Sequence, residues 1–321
     1  MKLKMMYPYL NADIALIEKE LARTVQAEDS VIEEASLHLL KAGGKRIRPV
    51  FVLLAGKFGD YQIDTVKYVA IALELIHMAS LVHDDVIDDA DKRRGQDTIK
   101  SRWDNRIAMY TGDYIFARAL EMITKIEDAE AHQILSHTIV EVGLGEIEQI
   151  RDKYDLDQSL RTYLRRIKRK TALLIASSCQ LGAIATGAPS SVHKRLFWFG
   201  YYVGMSFQIT DDILDFTATA EQLGKPAGSD LLQGNITLPV LYAIQDQAFR
   251  EKVENLFVST NPEKDITSII DEIKGSDAIE RSVDLSNRYL TKAFHVLEEL
   301  PPNKAKTALH KIAKFIGKRK F

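Results

Sequence analysis

From about Thr65 to Ala90 the sequence is apolar on nearly every side of a helix, and then it ends in charge. The stretch "LVHDDVIDDADKRRG", residues 81–95, carries five aspartates within eight positions, followed at once by Lys92, Arg93 and Arg94. A helix apolar all round has to be buried, so this one obliges the rest of the chain to wrap it. Five carboxylates this close repel one another, by about 1 kcal/mol per exposed pair near 4 Å and by more where water is scarce. A bound cation at the helix end relieves that repulsion. With about 100° per residue, Asp88 lies one turn beyond Asp84, and Ser80, His77 and Leu73 fall within about 40° of Asp84 on the preceding turns. One face therefore runs from carboxylates, through a polar pair, to an apolar floor.

The spacing recurs. In "QITDDILDF", Asp211, Asp212 and Asp215 repeat the DDxxD pattern near the end of a second buried helix, predicted over about Lys194 to Phe216, with Gln208 and Gly204 on the face of Asp211 and Asp215. Carboxylate oxygens without thiolates or clustered imidazoles suit a hard ion such as Mg²⁺, which takes a few carboxylates plus phosphate oxygens. Basic residues accompany both motifs: Lys45 and Arg48 in "GGKRIRP", Arg93 and Arg94 after the first motif, Lys170 with Thr171 in "RKT", and Lys225 in "LGKPAGSD". Together they suit two polyanions, one bridged by metal and one held by Arg and Lys. Competing motifs fail on spacing. An EF-hand from Asp84 needs Gly where Asp89 stands, and a P-loop needs Gly and Ser or Thr where Leu39 and Arg46 stand. A His83-Asp84 phosphohydrolase pair leaves the second aspartate motif idle.

Elsewhere the pattern is helical. Leu10, Ile14, Ile17, Leu21 and Val25 form one apolar stripe; Ser30 and Glu33 make a capping box for a helix that stops at Gly43-Gly44; Pro49 fits the first turn of the next. "STNPEKD", Gly275 and Pro301-Pro302 divide later helices, and no strand alternation is visible. The expectation is one all-α domain over residues 1–321. Lys and Arg number 43 against 45 Asp and Glu, net −2, so nothing global attracts nucleic acid. Cys179 is the only cysteine, which excludes an intrachain disulfide. The N-terminus has no signal-peptide pattern. The uncharged run Thr171–Val192 is diluted by small and polar residues, so it is expected as a buried helix of a cytoplasmic protein.

In this order, "GGKRIRP", "HDDVIDD…RRG", "RKT", "FQITDDILDF" and "GKPAGSDLLQGNITLP" resemble the trans-prenyltransferase (polyprenyl diphosphate synthase) family, and most of all the catalytic subunits of bacterial two-component enzymes making heptaprenyl diphosphate. The resemblance implies an isoprenoid-synthase-type bundle of antiparallel helices around a deep central cavity, with the aspartate motifs on opposite walls. It implies about three Mg²⁺ ions, with Asp84, Asp88, Asp211 and Asp215 as ligands, and Asp85 and Asp212 behind them. Arg93, Lys170, Thr171, Gln208 and Lys225 would serve the allylic diphosphate, the Thr171 carbonyl and Gln208 side-chain oxygen steadying the allylic cation. Lys45, Arg48, His77 and Arg94 would hold isopentenyl diphosphate. Asn235 in "GNIT" departs from the lysine of short-chain relatives, and no diphosphate role carries over to it.

The implied activity is chain elongation from an allylic primer such as farnesyl diphosphate to a heptaprenyl or hexaprenyl product for menaquinone side chains, with an octaprenyl or shorter product as the alternative. The implied partner is a small non-catalytic subunit, or a second copy of the chain in its absence, with at most peripheral membrane contact. A terpene cyclase would leave Lys45, Arg48 and Arg94 unused, and a non-catalytic subunit need not keep both aspartate motifs. Ala79 and Ser80 are small where short-chain relatives place an aromatic floor, so the growing tail is expected to pass them. From Asp84 back to about Val66 the helix offers roughly 27 Å, room for about six or seven isoprene units of roughly 4–5 Å.

Overall fold

The apolar stripe of the N-terminal segment becomes α1 (Asn11–Thr24), with Leu10, Ile14, Ile17, Leu21 and Val25 all buried. The next helix, α2 (Ser30–Lys41), is capped differently from the Ser30–Glu33 expectation. Asp29 is its N-cap, and Oδ1 accepts from the Val31 and Ile32 amides at 2.9 and 3.0 Å. A carboxylate satisfies the free amides and also complements the positive helix end, an advantage a serine hydroxyl lacks. The helix ends at Lys41 with Ala42 as its C-cap, just before the left-handed Gly43 and close to the predicted stop at Gly43-Gly44. Pro49 then sits in the first turn of α3 (Ile47–Gly56), where its missing N–H costs nothing. The structure, a computed structural model, describes residues 3–219, 221 and 226–317.

The buried helix is α4 (Ile63–Ile87). By length and composition it could cross a membrane, yet 67% of its apolar stretch is buried inside the chain, which makes it a core helix. It ends three residues short of Ala90, with Asp88 as its C-cap and Asp89 left-handed at φ 51°. A feature absent from the helical pattern follows, the hairpin β1 (Lys92–Arg93) and β2 (Gln96–Asp97). Its turn residues, Arg94 and Gly95, both have positive φ, 53° and 77°, as a two-residue hairpin requires.

Further helices are α5 (Ile99–Arg102), α6 (Asn105–Ile123), α7 (Ala129–Arg151), α8 (Leu160–Ile167), α9 (Leu173–Ile184) and α10 (Ser190–Thr217), then α11 (Ser229–Leu232), α12 (Leu238–Ala243), α13 (Gln247–Phe257), α14 (Pro262–Gly275), α15 (Ala278–Glu298) and α16 (Lys304–Gly317). The uncharged run expected as a buried helix contains α9, whose Cys179 is fully buried.

The chain forms two compact units. One holds the residues up to Ile139 with Leu174–Gly200 and Phe294–Ile312. Within it α4 packs chiefly on α6 and α3. Gly182 lets α9 approach α3 so closely that a Cβ there would stand 2.2 Å from the Val52 carbonyl oxygen. The other unit holds Val140–Leu173, Tyr201–Ala293 and the residues from Ala313 on, around a core that includes Tyr163, Ile209, Phe216, Leu238 and Ile273. The divisions fall inside α7, α9, α10, α15 and α16, so neither unit is a contiguous segment.

Because Asp29 caps α2, Asp29→Ala should lower unfolding stability by about 1 kcal/mol. Ser30→Ala should cost less than about 0.5 kcal/mol. Urea titration of both variants checks this, and equal losses would contradict the assignment.

Candidate active site

In the first unit, the glycine loop before α3 and the hairpin after α4 come together. Arg94 donates from Nη1 to the Gly43 carbonyl. Gly43 and Gly44 have φ of 78° and 157°, and a Cβ on Gly44 would lie 2.8 Å from Arg94 Nη1. Glycines are needed here both for the backbone and for the room they leave. Arg93 donates from Nε to Asp85 Oδ1 at 2.8 Å, with Nη2 2.7 Å from the same oxygen. Asp85 is buried, and burial pushes its carboxyl up against the opposing pull of Arg93. It therefore orients an arginine.

Arg48, in the first turn of α3, is half-buried with its Nε unpaired. Burial lowers its guanidinium to about 10; Glu74 opposes that shift and Arg94 adds to it. Arg94 is lowered too, by burial first and then by Arg93. His77 is held well below the ordinary imidazole value by burial and by the positive charges of Arg48, Arg94, Arg93 and Arg46. Lys45 is exposed on the same loop. The structure thus gathers Arg48, His77, Arg93 and Arg94 around one spot, with Arg46 as an addition that the motif spacing did not single out. A neutral imidazole beside crowded guanidiniums makes a site for a polyanion, which relieves their mutual repulsion. On α4 itself Asp84 is buried, and the Asp88 amide donates to the Asp84 carbonyl at 2.8 Å, confirming the one-turn spacing. Ala79 is buried, and half-buried Ser80 donates from Oγ to the His77 carbonyl at 2.9 Å.

The second unit holds the other motif. After α8 the chain makes one π-helical turn, Lys168–Ala172, a deviation that shifts the direction of Thr171 relative to a regular helix. Two glycines make room for it: a Cβ on Gly204 would lie 2.6 Å from Ala172 Cα, and one on Gly145 2.8 Å from Arg169 Cβ. Thr171 Oγ1 donates to Gln208 Oε1 at 2.6 Å, Gln208 Nε2 donates to Asp212 Oδ1 at 2.9 Å, and Tyr163 OH donates to Asp212 Oδ2 at 2.6 Å. Burial pushes the Asp212 carboxyl up to about 7 against these two hydrogen bonds. The Gln208 oxygen expected to face the cation therefore already accepts one hydrogen bond, and Asp212 fixes which way the amide points.

Lys170 Nζ lies 2.7 Å from Glu146 Oε2. Asp211 is half-buried, whereas Asp215 is fully buried and accepts from Ser229 Oγ and the Asp230 amide, both at 3.3 Å. Lys225 lies outside the described residues. Among the described residues no three His, Cys, Asp or Glu side chains form a closed metal cage. Paired carboxylates one turn apart fit a different mode, a hard ion that completes its shell with phosphate oxygens and water.

This fold and these motifs define a class. The chain belongs to the Polyprenyl synthetase family, which it matches over residues 29–273. It is 64% identical to heptaprenyl diphosphate synthase component 2 of Bacillus subtilis (strain 168), over 100% of this chain and 92% of that protein. Its structure resembles the crystal structure of heptaprenyl diphosphate synthase from Staphylococcus aureus, with a TM-score of 0.93 and 45% identity over 97% of this chain and 98% of that one. It also resembles polyprenyl synthase from Caulobacter crescentus CB15 in complex with calcium and isoprenyl diphosphate, with a TM-score of 0.94 and 32% identity over 99% and 98%. The chain is thus an all-α prenyltransferase of this family.

The depressed His77 value has a sign that can be tested. An imidazole held neutral in the folded chain contributes stability that is in full above about 6.5 and is lost as pH falls toward the lowered folded value. His77→Gln should flatten that part of the stability profile. In histidine-labelled protein, the NMR titration of His77 should have its midpoint below the ordinary value; a midpoint at or above it would contradict the cluster's geometry.

Proposed function

We propose that this chain is the catalytic component of a two-component heptaprenyl diphosphate synthase, adding isopentenyl diphosphate units to an allylic diphosphate such as farnesyl diphosphate. The observation that carries the reading is 64% identity along the whole chain to a protein of that name, with the aspartate and arginine motifs in place. Hexaprenyl and octaprenyl products are the alternatives in length. The setting is cytoplasmic, in one domain over residues 1–321, and the product serves menaquinone side chains.

Asp84, Asp88, Asp211 and Asp215 would hold Mg²⁺, the choice of a hard ion being supported by the calcium bound in the Caulobacter relative. When bound, Mg²⁺ neutralises the departing diphosphate and so favours ionisation of the allylic C–O bond. The chain's own residues do the rest. Arg93, Lys170 and Lys225 bind the allylic diphosphate. Lys45, Arg48, Arg94 and a neutral His77 bind isopentenyl diphosphate. The Thr171 carbonyl and the oriented Gln208 oxygen face the allylic cation as fixed dipoles. The double bond of isopentenyl diphosphate attacks the cation, and the proton lost from the adduct passes to the released diphosphate. Water must be kept out, since it would quench the cation to an alcohol.

A partner is supported by an apolar stripe on α7. Val140, Leu144 and Ile147 lie one helical turn apart and are 58%, 39% and 61% exposed. A small non-catalytic subunit covering such a stripe fits the "component 2" of the relative's name, and a second copy of the chain is the fallback.

The test is one assay with farnesyl diphosphate, labelled isopentenyl diphosphate and Mg²⁺, run with and without the small subunit. Long product should appear only with the partner, and Asp84→Ala should cut turnover by about two or more orders of magnitude while the protein still folds. Near-normal turnover in that variant would sink the metal assignment. In the same assay Ser80→Phe should stop growth at about three or four units, because the ring lies about one turn below Asp84. An unchanged product length would show that the tail does not pass Ser80.

A further inference from the structure

In "GGKRIRP" the middle cation differs from its neighbours. Arg46 is only 7% exposed, while Lys45 is exposed and Arg48 half-buried. Its guanidinium is spent on the protein interior. Nη1 donates to Glu74 Oε1 at 3.0 Å, Nη2 to the Leu40 carbonyl at 3.0 Å, and Nε to Glu18 Oε1 at 3.3 Å. One side chain thereby ties the loop to α4, to the end of α2 and to α1. The backbone it anchors does not support itself. Gly43, Gly44 and Arg46 all have positive φ, and Arg46, at φ 46° and ψ 38°, takes a left-handed conformation that a residue with a Cβ keeps only when its surroundings fix it.

Glu74, the buried carboxylate of this tie, stands on α4 one turn before His77, and its charge also supports protonation of Arg48 and Arg94. A buried ion pair is a poor means of adding stability, since packed apolar groups do as well. What a guanidinium fork supplies is direction.

We propose that Arg46, held by Glu74, is a positioning residue: it fixes the loop that presents Lys45 and Arg48 and does not itself bind the diphosphate. This rests on the reading of that cluster as the isopentenyl diphosphate site. In the complete enzyme with its partner, Arg46→Met should raise the KM for isopentenyl diphosphate by about tenfold or more and leave the KM for farnesyl diphosphate within about twofold. Arg46→Lys, which keeps the charge but not the fork, should fall between. Glu74→Gln should add little to the effect of Arg46→Met, because both changes break the same tie.

A second readout needs no turnover. Inorganic pyrophosphate should raise the melting temperature of the wild-type chain and raise that of Arg46→Lys less. If the wild-type enzyme does not consume isopentenyl diphosphate, the functional reading fails, and the pyrophosphate melt still tests the anchor. If Arg46→Met does not fold, Arg46→Lys and Glu74→Gln carry the test. The proposal is overturned by an unchanged KM for isopentenyl diphosphate in Arg46→Lys and Glu74→Gln, by equal rises for both substrates, or by full additivity.

Discussion

Four guanidiniums, those of Arg48, Arg94, Arg93 and Arg46, lie near enough to His77 to add to burial, the larger effect, in holding its imidazole well below the ordinary value. Like charges at such range, out of bulk water, cost more than about 1 kcal/mol per pair unless something offsets them. Two of the four are offset from within: Arg46 by Glu74 and Glu18, and Arg93 by Asp85. Arg48 and Arg94 make no ion pair among the described residues, and Arg94 has only the Gly43 carbonyl. The cluster is therefore two anchored arginines framing two without an ion-pair partner among the described residues. The glycine loop, the hairpin and the buried carboxylates on α4 all follow from holding that arrangement in place.

The second unit solves a related problem with dipoles instead of charges. A buried carboxylate, Asp212, receives hydrogen bonds from Tyr163 and Gln208, and Gln208 in turn receives one from Thr171. Each polar group in the chain fixes the next, so the amide has one orientation and its oxygen a set direction. The π-helical turn adds the remaining degree of freedom, turning Thr171 where a regular helix would not. Preorganised oxygens suit a reaction whose intermediate is a cation with no side-chain nucleophile to trap it.

Long elements were legible in the sequence because burial writes itself into periodicity. The stripe from Leu10 to Val25 and the all-round apolar α4 read as helices, and the twin DDxxD spacings fall near the ends of two buried helices, as the fold has them. Short-range choices were not legible. Asp29 and Ser30 are both good caps, and only the fold decides which carries the amides. The two-residue strands after α4 are too short to alternate. Nothing in "RRIKRKTA" marks a π turn. In "GGKRIRP" three cations look alike, and it takes the buried partner Glu74, 28 residues away, to turn one of them inward.

If the cluster is a diphosphate site with a fixed frame, binding should draw in the unpaired arginines and leave the anchored ones alone. The most direct measurement is a crystal structure of the protein with isopentenyl diphosphate bound and no allylic substrate. The diphosphate should contact Arg48 and Arg94, with Arg46 still on Glu74 and Arg93 still on Asp85. A diphosphate bound elsewhere, or an Arg46 swung away from Glu74 to meet it, would contradict the account.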